Sequence, residues 1–189
     1  MREKVIKELE ESTKIIRAVA ETLADVIAGA SETILKAYRS GKKVLLVGNG
    51  GSAADAQHIA AELIGRFQRE RKALPAIALT TDTSVLTAVT NDYGYESVFS
   101  RQIEAIGEEG DILLAMTTSG GSPNILKAVE TAKTKGMLTI ILTGENGTPL
   151  KDKGDTVIIV PSTKPPRIQE THIAIGHIMC QLIENELFG

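Results

Sequence analysis

The chain has no tryptophan, and aromatic residues make up only 3% of its 189 positions. The stacking platforms that hold single-stranded nucleic acid are therefore missing. Basic residues are also in deficit: 21 Lys and Arg stand against 24 Asp and Glu, for a net charge of −3. No global field draws such a chain to a polyanion. The one basic cluster, Arg66-Phe67-Gln68-Arg69-Glu70-Arg71-Lys72, reads as a solvated loop, so no nucleic-acid partner is expected. A single cysteine, Cys180, excludes an intrachain disulfide and fits a reducing compartment. Its neighbours Ile178, Met179 and Leu182 mark it as a buried structural thiol. No apolar run approaches the ~18 residues that span a bilayer. The charged start Met1-Arg2-Glu3-Lys4 is unlike a signal peptide. The expected location is the cytoplasm, with no membrane partner.

What is present is an ordinary globular composition, 42% hydrophobic and 24% charged. No repeat or linker divides it, so a single domain over residues 1–189 is expected. From about Glu3 to Arg39 the apolar residues Val5, Leu9, Ile16, Val19, Leu23, Val26, Ala30 and Leu35 recur at helical steps. A helix of that length outreaches a domain of this size, so residues 1–40 are expected to lie partly in an oligomer interface. Ser40-Gly41 ends it.

The period then changes. Val44–Val47, Pro75–Leu79, Asp111–Met116, Met137–Leu142 and Thr156–Val160 read as buried strands. Helical stretches follow at Ser52–Phe67, Thr83–Val89, Val98–Ile106, Asn124–Lys135 and Arg167–Leu187. Short apolar strands alternating with helices predict an α/β fold: a three-layer, doubly wound, five-stranded parallel sheet.

In such sheets ligands sit beyond the carboxyl ends of the strands. Two loops leave strand ends there with small, hydroxyl-bearing residues: Asn49-Gly50-Gly51-Ser52 and Thr117-Thr118-Ser119-Gly120-Gly121-Ser122. Each precedes a helix, whose unpaired N–H groups suit an anion. Either loop alone is an ordinary glycine turn; the pair points to a phosphate. The first loop lacks the Gly-Lys-Ser/Thr of a P-loop and the Gly-x-Gly-x-x-Gly spacing of a dinucleotide site. A sugar phosphate fits better than a nucleotide.

Past the first loop, His58 and Glu62 lie four residues apart, about 40° around a helix and about 6 Å along it. Alone they read as a hydrogen-bonded surface pair. The last helix adds Gln169 and His177, eight residues apart and so about 12 Å along the axis. Together His58, Glu62, Gln169 and His177 can supply four N/O ligands for zinc. One ion reaches both Gln169 and His177 only if Gln169 leans in, or if the site is completed across a subunit contact. His172, the third histidine, reads as packing or surface.

The set Gly48-Asn49-Gly50-Gly51-Ser52, Gln57-His58-Ile59-Ala60-Ala61-Glu62, Leu74–Leu79, Asn91-Asp92, Thr118-Ser119-Gly120, Arg167-Ile168-Gln169-Glu170 and His177 occurs in one order along the whole chain. In it the chain resembles the phosphoheptose isomerases of the sugar-isomerase (SIS) domain superfamily. The resemblance implies the SIS, flavodoxin-like form of the sheet and a homotetramer. It implies conversion of sedoheptulose 7-phosphate to D-glycero-D-manno-heptose 7-phosphate, an early step toward activated heptose for lipopolysaccharide and other surface glycans. It further implies one zinc per subunit on His58, Glu62, Gln169 and His177. Substrate contacts fall on Asn49, Gly50, Gly51, Ser52, Glu62, Asn91, Asp92, Thr117, Thr118, Ser119, Ser122 and Gln169. The resemblance also suggests Glu62 as base and His177 as acid. One departure is that relatives commonly carry an acidic residue before Arg-Ile-Gln-Glu, where this chain has Pro165-Pro166. The alternative is a non-catalytic SIS-domain binding protein of the replication-initiator-associating type. That relative lacks the Glu62 and His177 counterparts, and this chain has both.

Overall fold

The structure, a computed structural model, describes every residue apart from the side chain of Pro149. Runs rich in Val, Leu, Ile and Ala form the five strands β1 (Val44–Gly48), β2 (Ala76–Ala78), β3 (Ile112–Thr117), β4 (Leu138–Gly144) and β5 (Thr156–Val160), with β1, β3 and β4 almost wholly buried and the edges β2 and β5 only partly. All pair in parallel, in the order β2-β1-β3-β4-β5. This is the flavodoxin-like order, whose switch point lies between β1 and β3. The register sets Gly48 beside Met116, so the loops leaving β1 and β3 start side by side.

Seven helices cover the sheet: α1 (Arg2–Thr22), α2 (Ala24–Arg39), α3 (Gly51–Ile64), α4 (Thr83–Tyr93), α5 (Ser100–Ile106), α6 (Pro123–Thr134) and α7 (Pro165–Phe188). Val44, Leu46, Ile112, Leu114 and Met116 face a core shared with α2, α3 and α7. Leu45, Val47, Leu113 and Ala115 face a second core under α5 and α6. The alternation of side chains along a strand divides the residues this way.

The expected N-terminal helical segment is present, with one break at Leu23 (φ −120°, ψ 0°). Leu23 N–H still donates to Val19 and its carbonyl still accepts from Ile27, so the bend adds no glycine or proline to the pattern. Ion pairs Lys164–Glu11 (2.6 Å) and Arg167–Glu8 (3.4 Å) tie α1 to the start of α7. Apolar residues in the same half of α1 nonetheless face solvent within this chain: Val5 is 55% and Leu9 63% exposed.

Element ends shift by a few residues for local reasons. α3 stops at Ile64 instead of Phe67 because Gly65 takes a non-helical conformation. α4 runs on to Tyr93, where Gly94 at φ +81° ends it. The edge strand β2 keeps three residues, since Pro75 has no N–H and can only accept, from Val44. Cys180 and His172 are buried, in agreement with the packing roles read from the sequence. The basic cluster departs from expectation: Arg71 is not solvated but is 1% exposed, paired with Glu184 at 3.0 Å. A buried guanidinium requires such a partner.

Candidate active site

Two loops and two helices build the site at the switch point. The first loop turns at Gly50, whose φ of +55° is left-handed and suits glycine. At Gly51 the constraint is space: a Cβ there would stand 2.7 Å from Gln169 Nε2. The helix that follows has Gly50 at its N-cap, and Ser52, expected to open it, is buried inside its first turn. In the second loop Thr117 is buried at the end of β3 and accepts from Gly120 N–H at 3.2 Å. Ser119 is exposed, Thr118 and Ser122 are half-buried, and Ser122 occupies the N-cap of α6.

Asn49 joins the loops. Its amide exchanges hydrogen bonds with Asn124 at 2.9 and 2.8 Å, and Tyr95 Oη donates to its carbonyl oxygen at 3.0 Å. One N–H of Asn49 is committed to Asn124, which leaves the other for a ligand. Asn91 and Asp92 form the exposed last turn of α4, where Asn91 donates to Asp92 at 2.8 Å. Tyr95, just past that turn, is what reaches the first loop.

Helices α3 and α7 run side by side in the same direction, each following a parallel strand. Gly176 makes their contact close, since a Cβ there would meet Ile59 Cδ1 at 2.4 Å. This sets the heights of the functional side chains. His58 Nε2 lies 2.9 Å from His177 Nε2 and 3.3 Å from Glu62 Oε1. Donor atoms of the three all fall within 4.8 Å of one another. Nitrogens bound to one tetrahedral zinc stand about 3.3 Å apart. The two imidazoles therefore fit an ion after parting by a few tenths of an ångström, and two imidazoles with a carboxylate are a donor set zinc accepts. Gln169 lies elsewhere: its carboxamide rests against Gly51, seven residues before His58 on α3 and so about 10 Å along the axis.

One group near the triad escaped sequence reasoning. Asp55 sits three residues before His58, half-buried, and its Oδ2 is buried with no hydrogen-bond partner among the described residues. Burial raises its pKa, while nearby His58 and His177 pull it down. The signal was available as the i, i+3 spacing Asp55–His58, which puts both on one face of α3.

A family model described as SIS domain matches residues 9–144. Phosphoheptose isomerase of a Nitratiruptor species is 54% identical over 97% of this chain and 98% of its own length. The chain belongs to the phosphoheptose isomerase family of SIS-domain proteins. Solved members superpose closely: the Neisseria gonorrhoeae phosphoheptose isomerase has a TM-score of 0.90 at 41% identity, covering 97% of this chain and 98% of that one. The Francisella tularensis phosphoheptose isomerase has a TM-score of 0.93 at 41% identity, covering 97% of each. The SIS-domain match takes in both loops and α3 but ends before α7. Gln169 and His177 therefore enter the comparison only through the full-length members of the phosphoheptose isomerase family.

Proposed function

We propose that this protein is an aldose–ketose isomerase acting on sedoheptulose 7-phosphate to give D-glycero-D-manno-heptose 7-phosphate, early in activated-heptose synthesis for lipopolysaccharide or another glycan. The observation that carries the reading is the convergence of His58, Glu62 and His177 beside two hydroxyl-rich loops, in a chain 54% identical to a phosphoheptose isomerase. Asn49, Gly50, Gly51 and Ser52 with Thr117, Thr118, Ser119 and Ser122 take the phosphate and adjoining hydroxyls, through backbone N–H groups and the α3 and α6 N-termini. Asn91, Asp92 and Gln169 bind the sugar chain.

In the ketose-to-aldose direction the Glu62 carboxylate takes a proton from C1 while His177 imidazolium protonates the C2 oxygen, giving the enediol. Glu62 then returns its proton to C2, His177 imidazole removes the O1 proton, and C1 becomes the aldehyde. Glu62 is within reach of both roles because it has two oxygens and is only half-buried. Zinc held by His58 and Glu62, with His177 joining them only in its neutral imidazole form, would polarise the substrate oxygens or organise the site. Gln169 completes the donor set either by turning its carboxamide along the α3–α7 groove or across a subunit contact. The exposed apolar residues of α1 support a homotetramer. The single buried cysteine supports a cytoplasmic location. Among the described residues no helix is long and apolar enough to cross a membrane.

The convergence of Glu62 and His177 argues against the non-catalytic SIS binding module. Purified protein will turn over sedoheptulose 7-phosphate, and Glu62→Gln and His177→Ala will each lower kcat about 10²-fold or more. Chelation will lower activity and zinc will restore it. Wild-type protein that binds zinc yet leaves the substrate untouched would overturn the assignment.

A further inference from the structure

The loop between α3 and β2, residues 65–75, is held by two buried opposite charges, Arg71 within it and Glu184 on α7. The last carbonyls of a helix have no partner within it. Here the Arg71 guanidinium supplies one: it donates to the carbonyls of Glu62 (2.8 Å), Leu63 (2.8 Å), Gly65 (3.2 Å) and Lys72 (3.1 Å). Its positive charge also suits the negative end of the α3 dipole. The Glu184 carboxylate, from the last turns of α7, accepts from the backbone N–H groups of Phe67 (3.0 Å), Gln68 (2.8 Å) and Arg69 (2.9 Å), and from Arg71 Nε (3.0 Å). Both side chains are 1% exposed. Burial works to raise the Glu184 pKa, but these donors hold it below the ordinary carboxylate value, so it is ionised.

Three consecutive amides fixed on one carboxylate leave the loop a single course. That course sets the Phe67 ring 5.7 Å from the His177 ring, tilted by 33°. His177 also meets the His58 ring edge-on, at 5.1 Å and 64°. The His177 imidazole thus has two ring neighbours, one from the loop and one from α3. Gln181, one turn beyond His177, donates to Gln68 at 2.9 Å and adds a second tie between loop and helix. The same guanidinium that orders the loop also holds the carbonyl of Glu62, the residue read as the base.

An ion pair is a poor device for stability alone, because packed apolar side chains hold a loop at lower desolvation cost. What a guanidinium and a carboxylate add is direction, fixed by the fork geometry and the N–H bonds. We propose that the Arg71–Glu184 pair is a positioning device for the isomerase site: it couples the end of α3 to α7 and sets Glu62 and His177 relative to one another, with Phe67 as the wall against His177. The kinetic consequence rests on the isomerase reading; the structural one does not.

The test uses the full chain with three substitutions. Phe67→Leu keeps apolar volume and removes the flat face. Arg71→Lys keeps charge but loses the fork, and Glu184→Gln keeps shape but loses charge. The chain has three histidines, so ring signals in 13C-histidine-labelled protein are assignable by single substitution. Phe67→Leu is expected to lower kcat about tenfold or more with KM within about twofold, since misplacement near the chemistry is expensive in rate. Arg71→Lys, and Glu184→Gln where it folds, are expected to shift the His177 ring signals, leave those of His172 in place, and lower kcat in the same way. Unchanged His177 signals in Arg71→Lys, or variants that lose only Tm while kcat and KM hold, would overturn the proposal. If wild type fails to turn over the heptulose phosphate, the isomerase reading falls, while the His177 signals still decide the positioning role.

Discussion

Acidification within a mild range will destabilise this fold through one residue outside the site. His172 is fully buried in α7, and neither imidazole nitrogen has a hydrogen-bond partner among the described residues. Burial lowers its pKa from 6.5 to about 4, opposed only by the neighbouring Thr143 backbone. The sign follows from which state takes the proton: below 6.5 the unfolded chain binds it and the folded chain does not. The stability is therefore fully present above pH 6.5 and drains away as the pH falls toward about 4. One pH unit of this difference is about 1.4 kcal/mol, so at pH 5, about 1.5 units below the unfolded value, the loss is about 2 kcal/mol. Urea unfolding at one fixed protein concentration, at pH 7.5 and pH 5, measures it; the fixed concentration removes the mass-action effect of subunit association. His172→Leu removes the titrating group while His58 and His177 remain, so the difference between the two proteins isolates His172. Wild type will lose about 2 kcal/mol more than the variant between these pH values. The same pH dependence in both would refute the reasoning.

Two further outcomes follow from single contacts. In Gly51→Ala the new Cβ displaces the Gln169 carboxamide, the movable end of a side chain, so Tm will hold within a few degrees while KM for the sugar phosphate rises severalfold; an unchanged KM would remove Gln169 and Gly51 from the binding face. Asp111 is buried, salt-bridged to Lys43 at 2.7 Å, and accepts from the N–H groups of Lys43 and Glu108. Burial pushes its pKa up, but those partners hold it below 3.8, so its stabilisation is present above about pH 4 and is lost as the pH falls through the lower folded value. Asp111→Asn will cost about 2–3 kcal/mol at pH 7 and progressively less below pH 3, measurable as a Tm difference that narrows on acidification.

The inner strands were legible because a parallel strand between two neighbours is buried on both faces and so reads as an unbroken apolar run, as Val44–Val47 does. Their order was not, since pairing is settled in three dimensions. The break at Leu23 left no mark because the apolar period runs through it without glycine or proline. In the site, His58 and Glu62 announced themselves by spacing on one helix, whereas their nearness to His177 is a long-range fact, 119 positions apart in the chain. Arg71 was misread for the same reason. A charge run looks solvated until its partner is known, and Glu184 lies 113 positions away, among other acidic residues of the last helix.

The tight contact of Gly176 on Ile59 has a consequence for the order in which the molecule becomes competent. All five strands, both hydroxyl loops, His58 and Glu62 precede residue 165, whereas His177 belongs to α7, the helix that also closes one face of the sheet. His177 arrives with the last helix and is brought to height by a contact one residue earlier. Chains terminated between Val160 and Gly176 would lose Met179, Cys180 and Ile183 from the core together with His177, so packing and the partner of His58 go together. The proton transfer is thus withheld until α7 has docked, so a subunit without that helix carries no half-working site.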